Sequence, residues 1–301
     1  KSDMERVLKN VLILGSTGMA GHMVYSQLKD KYRCTEVNRR RYSKAKGLYF
    51  DATDRRSYNI FFDSLKLEGI DYIVNCIGVL VEASAEDYNL AYTVNRDFPK
   101  YLETKFKGTE TKIIHISTDC VFDGSKGGYK VTDKPTETSA YGRSKACGEI
   151  VNSKDVTIRT SIIGPDLKSE GVGLFNWFMG QTGVISGYTN AFWSGISTIE
   201  LARCVEWCIE EDVVGLQQVA RREKISKCQL LDLFKSSFEK EIEILEDPSK
   251  KVDKSLIPSE GAYEIAEGYA DMVNEMRAFI EYTRSQQPYT YLHYKKGYPH
   301  D

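Results

Sequence analysis

The chain has 301 residues, 41% of them hydrophobic, enough to bury a sizeable core in one large domain or in a large domain with a smaller one attached. Its 41 lysines and arginines are offset by 43 acidic residues, so the formal charge of −2 gives no global field to gather nucleic acid or an anionic membrane, and phosphate recognition must be local. No stretch approaches the roughly 20 apolar residues needed to cross a bilayer, and the opening KSDMERVLKN is polar, so a soluble, cytoplasmic protein is expected.

Residues 11–14 predict a first strand and the amphipathic stretch 20–31 a first helix. Strands at 35–37, 48–50, 72–76, 113–117 and 156–159 continue the pattern, with helices over 55–67, 88–106 and 141–151 between them. Repeated strand and helix with right-handed crossovers implies an α/β fold, a doubly wound parallel Rossmann sheet with helices on both faces. The second half is less regular: a glycine- and aromatic-rich passage over 164–195, helices over 198–211 and 227–238, a charged stretch 246–260 and a helical run 271–282. A nucleotide-binding domain over 1–163 is therefore expected, with a smaller C-terminal substrate lobe over 164–301 interleaved with the last elements of the sheet. The aromatic tail PYTYLHYKKGYPHD carries no pattern that assigns it.

The seven cysteines are scattered without a C-x-x-C pair, as expected of reduced, buried thiols. Cys204 and Cys208 are four apart, but Leu201, Val205 and Ile209 set them beside a core stripe, so packing is the expected role. The four histidines have no metal-ligand spacing, and no metal is expected.

The first strand runs directly into Gly15-Ser16-Thr17-Gly18-Met19-Ala20-Gly21 and then a helix. Gly15 suits the tight turn, Gly18 lets backbone approach a pyrophosphate and Gly21 permits close helix-to-strand packing, while the helix N-terminus supplies free N–H groups. The spacing is one residue away from the common dinucleotide fingerprint; an ordinary tight βα turn is the alternative. After the second strand comes Asn38-Arg39-Arg40-Arg41, with no acidic residue to accept from a ribose 2′-hydroxyl. Arginine there suits a 2′-phosphate, so NADP(H) is the expected cofactor, held by Arg39 and Arg40; the alternative is a solvated basic loop.

Tyr141 and Lys145 are four apart, on one face of the helix over 141–151. An unperturbed phenol titrates near 10, so an adjacent ammonium that favours phenolate suits proton exchange near neutral pH. Lys145 can also reach a nicotinamide ribose. The strand over 113–117 ends in Ser117-Thr118-Asp119-Cys120, at the strand edge where open α/β sheets bind ligands. Thr118 is the candidate to hold a substrate carbonyl oxygen and Ser117 the candidate to face the cofactor. Asp119 is either a substrate contact or a turn cap.

Together the glycine turn, S-T-D-C-V-F-D-G and Y-G-R-S-K-A-C-G-E resemble the extended short-chain dehydrogenases, specifically the dTDP-4-dehydrorhamnose reductase family, from about residue 11 to 164. The resemblance implies NADPH-dependent reduction of the 4-keto group of a deoxy sugar carried on a nucleoside diphosphate, for bacterial surface polysaccharides. It implies a catalytic triad of Thr118, Tyr141 and Lys145. It places Asp51 and Ala52 at the adenine, Cys76, Ile77 and Gly78 in the cofactor-lining turn after Asn75, and Asn95 near the active site. Each position has a structural alternative: Asp51 as a cap, Asn75 as a turn former, Asn95 as a brace between helix and sheet. Cys120 departs from the family's usual tyrosine, and residues 190–195 depart from its usual substrate loop, leaving the sugar open. Trp193 offers either a stacking face for base or sugar or a core ring. A nucleotide-sugar substrate and a monomer or homodimer are expected, without nucleic-acid or membrane partners.

Two other readings share these motifs. A nucleotide-sugar epimerase or dehydratase has the same turn and Tyr-Lys pair, but a dehydratase adds an acidic pair beside the catalytic hydroxyl, where this chain has Asp119 and then Cys120. A catalytically silent NADP-binding subunit would keep the fold without turnover.

Cofactor choice is directly measurable. NADPH should bind more tightly than NADH, and replacing Arg39 and Arg40 with alanine should weaken NADPH roughly ten- to a hundredfold for each charge-assisted hydrogen bond lost, with little effect on NADH. Equal affinities for the two cofactors in the parent protein would contradict the assignment.

Overall fold

The computed structural model describes residues 7–39, 47–65 and 69–300. The chain opens with β1 (Asn10–Leu14), α1 (Met19–Leu28), β2 (Arg33–Asn38), β3 (Leu48–Tyr49), α2 (Ser57–Ser64) and β4 (Tyr72–Asn75). It continues with α3 (Val81–Glu86), α4 (Tyr88–Tyr92), a π-helical turn (Thr93–Asp97), α5 (Phe98–Lys105), β5 (Lys112–Thr118), α6 (Ala140–Gly148) and β6 (Val156–Thr160). Then come β7 (Ile162–Ile163), α7 (Leu174–Met179), β8 (Gly183–Tyr188), β9 (Ala191–Trp193), β10 (Ile196–Ser197) and α8 (Thr198–Glu210). The last elements are β11 (Gly215–Gln218), β12 (Ile225–Ser226), α9 (Lys227–Phe238), β13 (Ile242–Asp247), β14 (Val252–Asp253) and α10 (Tyr269–Gln286).

Seven strands form the expected sheet in the order β11-β6-β5-β4-β1-β2-β3, and the pairs β1/β2, β1/β4, β2/β3 and β4/β5 are parallel. Strand order therefore reverses between β1 and β4, the point at which doubly wound sheets bind ligands. Strands with both faces covered read as continuous apolar runs, and Val11, Leu12, Ile13 and Leu14 are all buried. Against the sheet lies an aromatic cluster in which Phe50, Tyr58, Phe62 and Phe98 pack with ring centroids 5.1 to 6.3 Å apart.

By contacts the chain divides into two compact units. The first is Lys1–Ser117, Ser139–Thr157 and Ala202–Leu216; the second is Thr118–Thr138, Ile158–Leu201 and Gln217–Asp301. The division is more interleaved than a cut at residue 163. Residues after Thr118 belong with the C-terminal half because their backbone pairs there: Asp253 N donates to Gly124 O at 2.8 Å, and Tyr129 N donates to Ser255 O at 3.0 Å.

The second unit holds β8 and β13 as a parallel pair and β12, β9 and β14 as a three-stranded sheet. A core of Phe175, Phe178 and Phe234 packs α7 on α9, with ring centroids 5.3 and 5.6 Å apart. Arg221 and Glu200 form a buried fork-to-fork pair, at 3.0 and 2.7 Å, and the same guanidinium donates to Gly195 O and Glu267 O. The aromatic tail belongs to this unit. Tyr291 and Tyr294 are buried, and the Tyr294 hydroxyl donates to Asn176 Oδ1 at 2.7 Å while accepting from Asp166 N at 2.8 Å. Cys204 and Cys208 are buried on α8 as expected, all seven cysteines are free thiols, and no helix among the described residues is long and apolar enough to cross a membrane.

The helix expected over 88–106 is interrupted. Pro99 has no N–H to donate to the carbonyl of Asn95 four residues earlier, and the backbone widens there into the π-helical turn. The side of the helix thus opened is filled by α6: a Cβ on Gly148 would lie 1.8 Å from Asn95 O, so only glycine fits.

His115, in the middle of β5, is 1% exposed and held well below the usual histidine range, first by burial and then by the charges of Lys145 and Lys100. The unfolded chain binds a proton at His115 below about 6.5 while the folded chain resists it, so folded stability is complete above that pH and is lost as pH falls below it. Denaturant titrations at pH 7.5 and 5.5 should show His115→Gln losing less stability on acidification than the parent, by at most about 1.4 kcal/mol per pH unit. Identical pH dependence in the two proteins would remove His115 as a source of acid sensitivity.

Candidate functional site

The glycine turn has the geometry its sequence implies. Gly15 adopts φ of 78°, and Gly15 N and Ser16 N both donate to Val37 O, at 2.9 and 3.1 Å. A Cβ on Gly21 would lie 2.0 Å from Gly15 O, so glycine is what lets α1 pack on the turn. Gly18 is the N-cap of α1, with no side chain capping the helix and no acidic residue in its first turn. Uncapped N–H groups, exposed Gly18 and half-buried Thr17 and Met19 leave a positive helix end facing outward, which suits a diphosphate. Asn38 closes the end of β2 by donating to Ser16 Oγ at 3.2 Å, followed by exposed Arg39. Arg40 lies outside the described residues.

Asp51 and Ala52 take the capping alternative in part. Asp51 Oδ1 accepts from Thr53 N and Thr53 Oγ1 at 3.0 and 2.8 Å, and Ala52 is buried in the aromatic cluster, its carbonyl accepting from the Tyr58 hydroxyl.

The turn after β4 is held from two sides. Asn75 Oδ1 accepts from Ile77 N at 3.2 Å, which turns its amide nitrogen to His115 Nδ1, 3.1 Å away. Asn95 is the brace. Its Oδ1 accepts from Val79 N at 2.8 Å, and its Nδ2 donates to Val79 O at 3.0 Å and to Ser144 Oγ at 3.1 Å. One buried amide thus ties the Cys76-Ile77-Gly78 turn to α6. A Cβ on Gly78 would lie 3.6 Å from Asn95 Oδ1 and 3.8 Å from Lys145 Nζ, so this turn passes the lysine closely. Cys76 is not a reactive thiol: burial pushes it up to about 12.

Helix α6 starts at an N-cap, Ser139, whose hydroxyl accepts from Gly142 N at 3.2 Å, and this fixes Tyr141 in the first turn and Lys145 one turn later. Tyr141 is half-buried. Lys145 is 6% exposed, and its Nζ donates to Ile116 O at 2.9 Å. Burial pulls its ammonium down to about 8, opposed by Glu149 and then Cys76. Ser117, the last residue of β5 in this unit, donates to Glu149 Oε1 at 2.7 Å. Glu149, just beyond the end of α6, carries no sequence signal that singles it out; its bond to Ser117 does.

The remaining candidates stand in the second unit. Thr118 Oγ1 lies 3.2 Å from Asp119 Oδ1 and accepts from Cys120 N at 3.1 Å. Burial pushes the Asp119 carboxyl above its usual range, against the charges of Lys227 and Lys254. Trp193 takes the core alternative. It is 3% exposed, its Nε1 donates to Ser161 Oγ at 2.7 Å, and a Cβ on Gly195 would press 2.4 Å from its ring, so it offers no open stacking face. Among the described residues no cluster of His, Cys, Asp or Glu could hold a metal ion.

The profile of the RmlD substrate binding domain matches residues 9–166, just over half of the chain and including Thr118, Tyr141 and Lys145. The chain belongs to the RmlD family. The dTDP-4-dehydrorhamnose reductase of Aggregatibacter actinomycetemcomitans is 32% identical over 160 residues, 51% of each chain. The chain spans about half or less of the length of the curated relatives it matches. Among solved structures, a hypothetical dTDP-4-dehydrorhamnose reductase from Sulfolobus tokodaii superposes with a TM-score of 0.71 at 25% identity, covering 87% of this chain and 96% of that one. The dTDP-4-dehydrorhamnose reductase of Bacillus anthracis, solved in complex with NADP, superposes with a TM-score of 0.76 at 18% identity, covering 90% and 99%. The latter shows the shared RmlD-type fold alone.

The brace in this RmlD-family chain is testable without any ligand. Asn95→Ala removes three hydrogen bonds from a buried site and should cost about 2 to 4 kcal/mol in urea unfolding, with faster amide exchange at Val79. Unchanged exchange at Val79 would show that the turn is held by other contacts.

Proposed function

We propose that the chain catalyses NADPH-dependent reduction of the C4 keto group of a nucleoside-diphosphate deoxy sugar, a step that supplies surface polysaccharide precursors. The observation that carries this reading is the buried Lys145 ammonium, 2.9 Å from Ile116 O and on the same helical face as Tyr141, beside the Gly78 turn. Membership of the RmlD family, a reductase relative at 32% identity and a fold neighbour holding NADP support it.

NADPH, when bound, supplies a hydride to the ketone carbon. The uncapped N-terminus of α1 and the Gly15 to Gly21 turn receive its diphosphate, Arg39 and Arg40 its 2′-phosphate, and Asp51 and Ala52 its adenosine end. Cys76, Ile77, Gly78, Asn95 and Ser117 shape the nicotinamide end, with Lys145 donating to the ribose. Tyr141 gives its hydroxyl proton to the ketone oxygen, and the Lys145 ammonium stabilises the phenolate left behind. Thr118 donates a hydrogen bond to that oxygen as negative charge develops, and Asp119 contacts the sugar. The second unit serves as the substrate lobe.

The test is NADPH oxidation with a panel of 4-keto sugar nucleotides. Tyr141→Phe keeps the ring, so folding and NADPH binding should survive, while turnover should fall about a hundredfold to ten-thousandfold. Thr118→Val should cost a similar or smaller factor, and the two losses should combine less than additively because both groups act on one oxygen. Near-normal turnover by a folded Tyr141→Phe protein would mean that the proton comes from elsewhere. Net NADPH consumption also separates this reading from an epimerase or dehydratase, which recycles its cofactor.

A further inference from the structure

Glu149 is a buried carboxylate to which the proposed reaction gives no role. It lies four residues after Lys145 and eight after Tyr141, just beyond the end of α6. The helix ends at Gly148, and Glu149 itself is extended, with φ of −60° and ψ of 133°. Its backbone is fixed in that position, because Lys100 Nζ donates to Glu149 O at 2.6 Å and Glu149 N donates to Ala146 O at 3.3 Å. Its side chain reaches β5, where Oε1 accepts from Ser117 Oγ at 2.7 Å. The residue before Ser117 is Ile116, whose carbonyl accepts from Lys145 Nζ at 2.9 Å. Neighbouring residues of one strand thus hold the ammonium and the carboxylate.

We propose that Glu149 is a positioning residue for Lys145, a fixed countercharge anchored on Ser117 that keeps the lysine in its ammonium form across neutral pH. The inference rests on the reductase reading only for its catalytic consequence. A lone buried ammonium is costly and loses its proton unless an opposite charge stands near. The groups around Lys145 are Tyr141 on its own helix, Glu149 just beyond that helix, Cys76 in the turn after β4, and His115 on β5 with Lys100 of α5 beside it. His115 is held neutral, and the Cys76 thiol, pushed up to about 12, keeps its proton. Burial draws Lys145 down to about 8, and Glu149 is the largest influence opposing it. Removing that negative charge lowers the lysine further, so the ammonium is lost first at the alkaline end and recovered on acidification. Ser117 gains a purpose by the same argument. Its hydroxyl spends its proton on Glu149 and so fixes where the countercharge stands.

The decisive variant is Glu149→Gln, which keeps the side-chain oxygen that accepts from Ser117 and deletes only the charge. In full-length protein labelled with ¹³C-lysine, the Lys145 Cε resonance, identified by its absence in Lys145→Arg, reports the midpoint directly. The midpoint should move about one pH unit or more downward in Glu149→Gln, by less in Ser117→Ala, and return towards the parent in Glu149→Asp. NADPH affinity should fall roughly fivefold or more at pH 8 yet stay within about twofold of the parent at pH 6, since a one-unit drop from a midpoint of about 8 cuts the protonated fraction at pH 8 from about one half to about one eleventh. A purely structural role would lower the unfolding temperature and leave both pH profiles in place, and that result overturns the proposal. Should Glu149→Gln not fold, the midpoint of Ser117→Ala decides it, an unmoved value being the contrary result. If the parent reduces no keto sugar nucleotide, the reductase reading fails on its own, while the lysine midpoint still decides the role of Glu149.

Discussion

The structure of the first unit is organised around one requirement, that the Lys145 charge be kept inside the protein. An ammonium that is 6% exposed has given up most of its water, and the chain compensates with a carbonyl at 2.9 Å and with the charge of the Glu149 carboxylate held on Ser117. Those two partners belong with Ile116 and Ser117, so the register of β5 in the sheet and the position of α6 along it have to agree to within a hydrogen bond. His115, on the same strand, pays part of the resulting cost by remaining uncharged, with its Nε2 lacking a hydrogen-bond partner among the described residues. The acid sensitivity expected of this fold therefore comes first from the burial of His115 and then from the Lys145 charge beside it.

The helix that carries Lys145 is brought to its place by a defect in another. Pro99 cannot donate to Asn95 O, the helix opens into a π turn, and the bare Gly148 backbone fills the space. The same opening leaves the Asn95 side chain free to bind Val79 and Ser144 rather than solvent. Three residues distant in sequence, Asn95, Pro99 and Gly148, thus act as one packing unit. Replacing any of them should disturb the cofactor-lining turn and the helix together, because neither has an independent hold on the other.

The fold was legible where local pattern and burial coincide. Continuous apolar strands, the glycine turn and the Tyr141 to Lys145 spacing each have a local physical cause, and the doubly wound sheet formed as expected. What escaped sequence reading depends on partners far away in the chain. The break in the 88–106 helix has a local signal in Pro99, but that Gly148 would fill it against Asn95 does not show in the sequence. Trp193 suits either a stacking face or a core ring by its chemistry alone, and what decides for the core is Ser161 and Gly195, which close over it. The tail could not be read because its aromatic rings follow no period; they are placed one at a time, Tyr294 by Asn176 and Asp166. Glu149 was overlooked for a different reason: at a helix end a glutamate is ordinarily solvated, and only its bond to Ser117 distinguishes it.

Under the proposed function, chemistry and substrate choice are carried by parts of the chain with different histories of likeness. The profile match stops at residue 166, so it includes Tyr141, Lys145 and Thr118 but almost nothing of the C-terminal half. The peptide bond from Ser117 to Thr118 is also where the chain passes from the first unit to the second. The two adjacent hydroxyls accordingly serve different neighbourhoods, Ser117 that of Glu149 and Thr118 that of Asp119. Asp119 in turn is buried among groups that come from the second half, with Lys227 at the start of α9 and Lys254 just after β14 opposing its rise. A change in Lys227 or Lys254 therefore alters the electrostatics around Asp119 without touching the Lys145 network. On that proposal, substitutions of that kind would retune which sugar nucleotide is accepted while leaving the Lys145 hydrogen bonds intact.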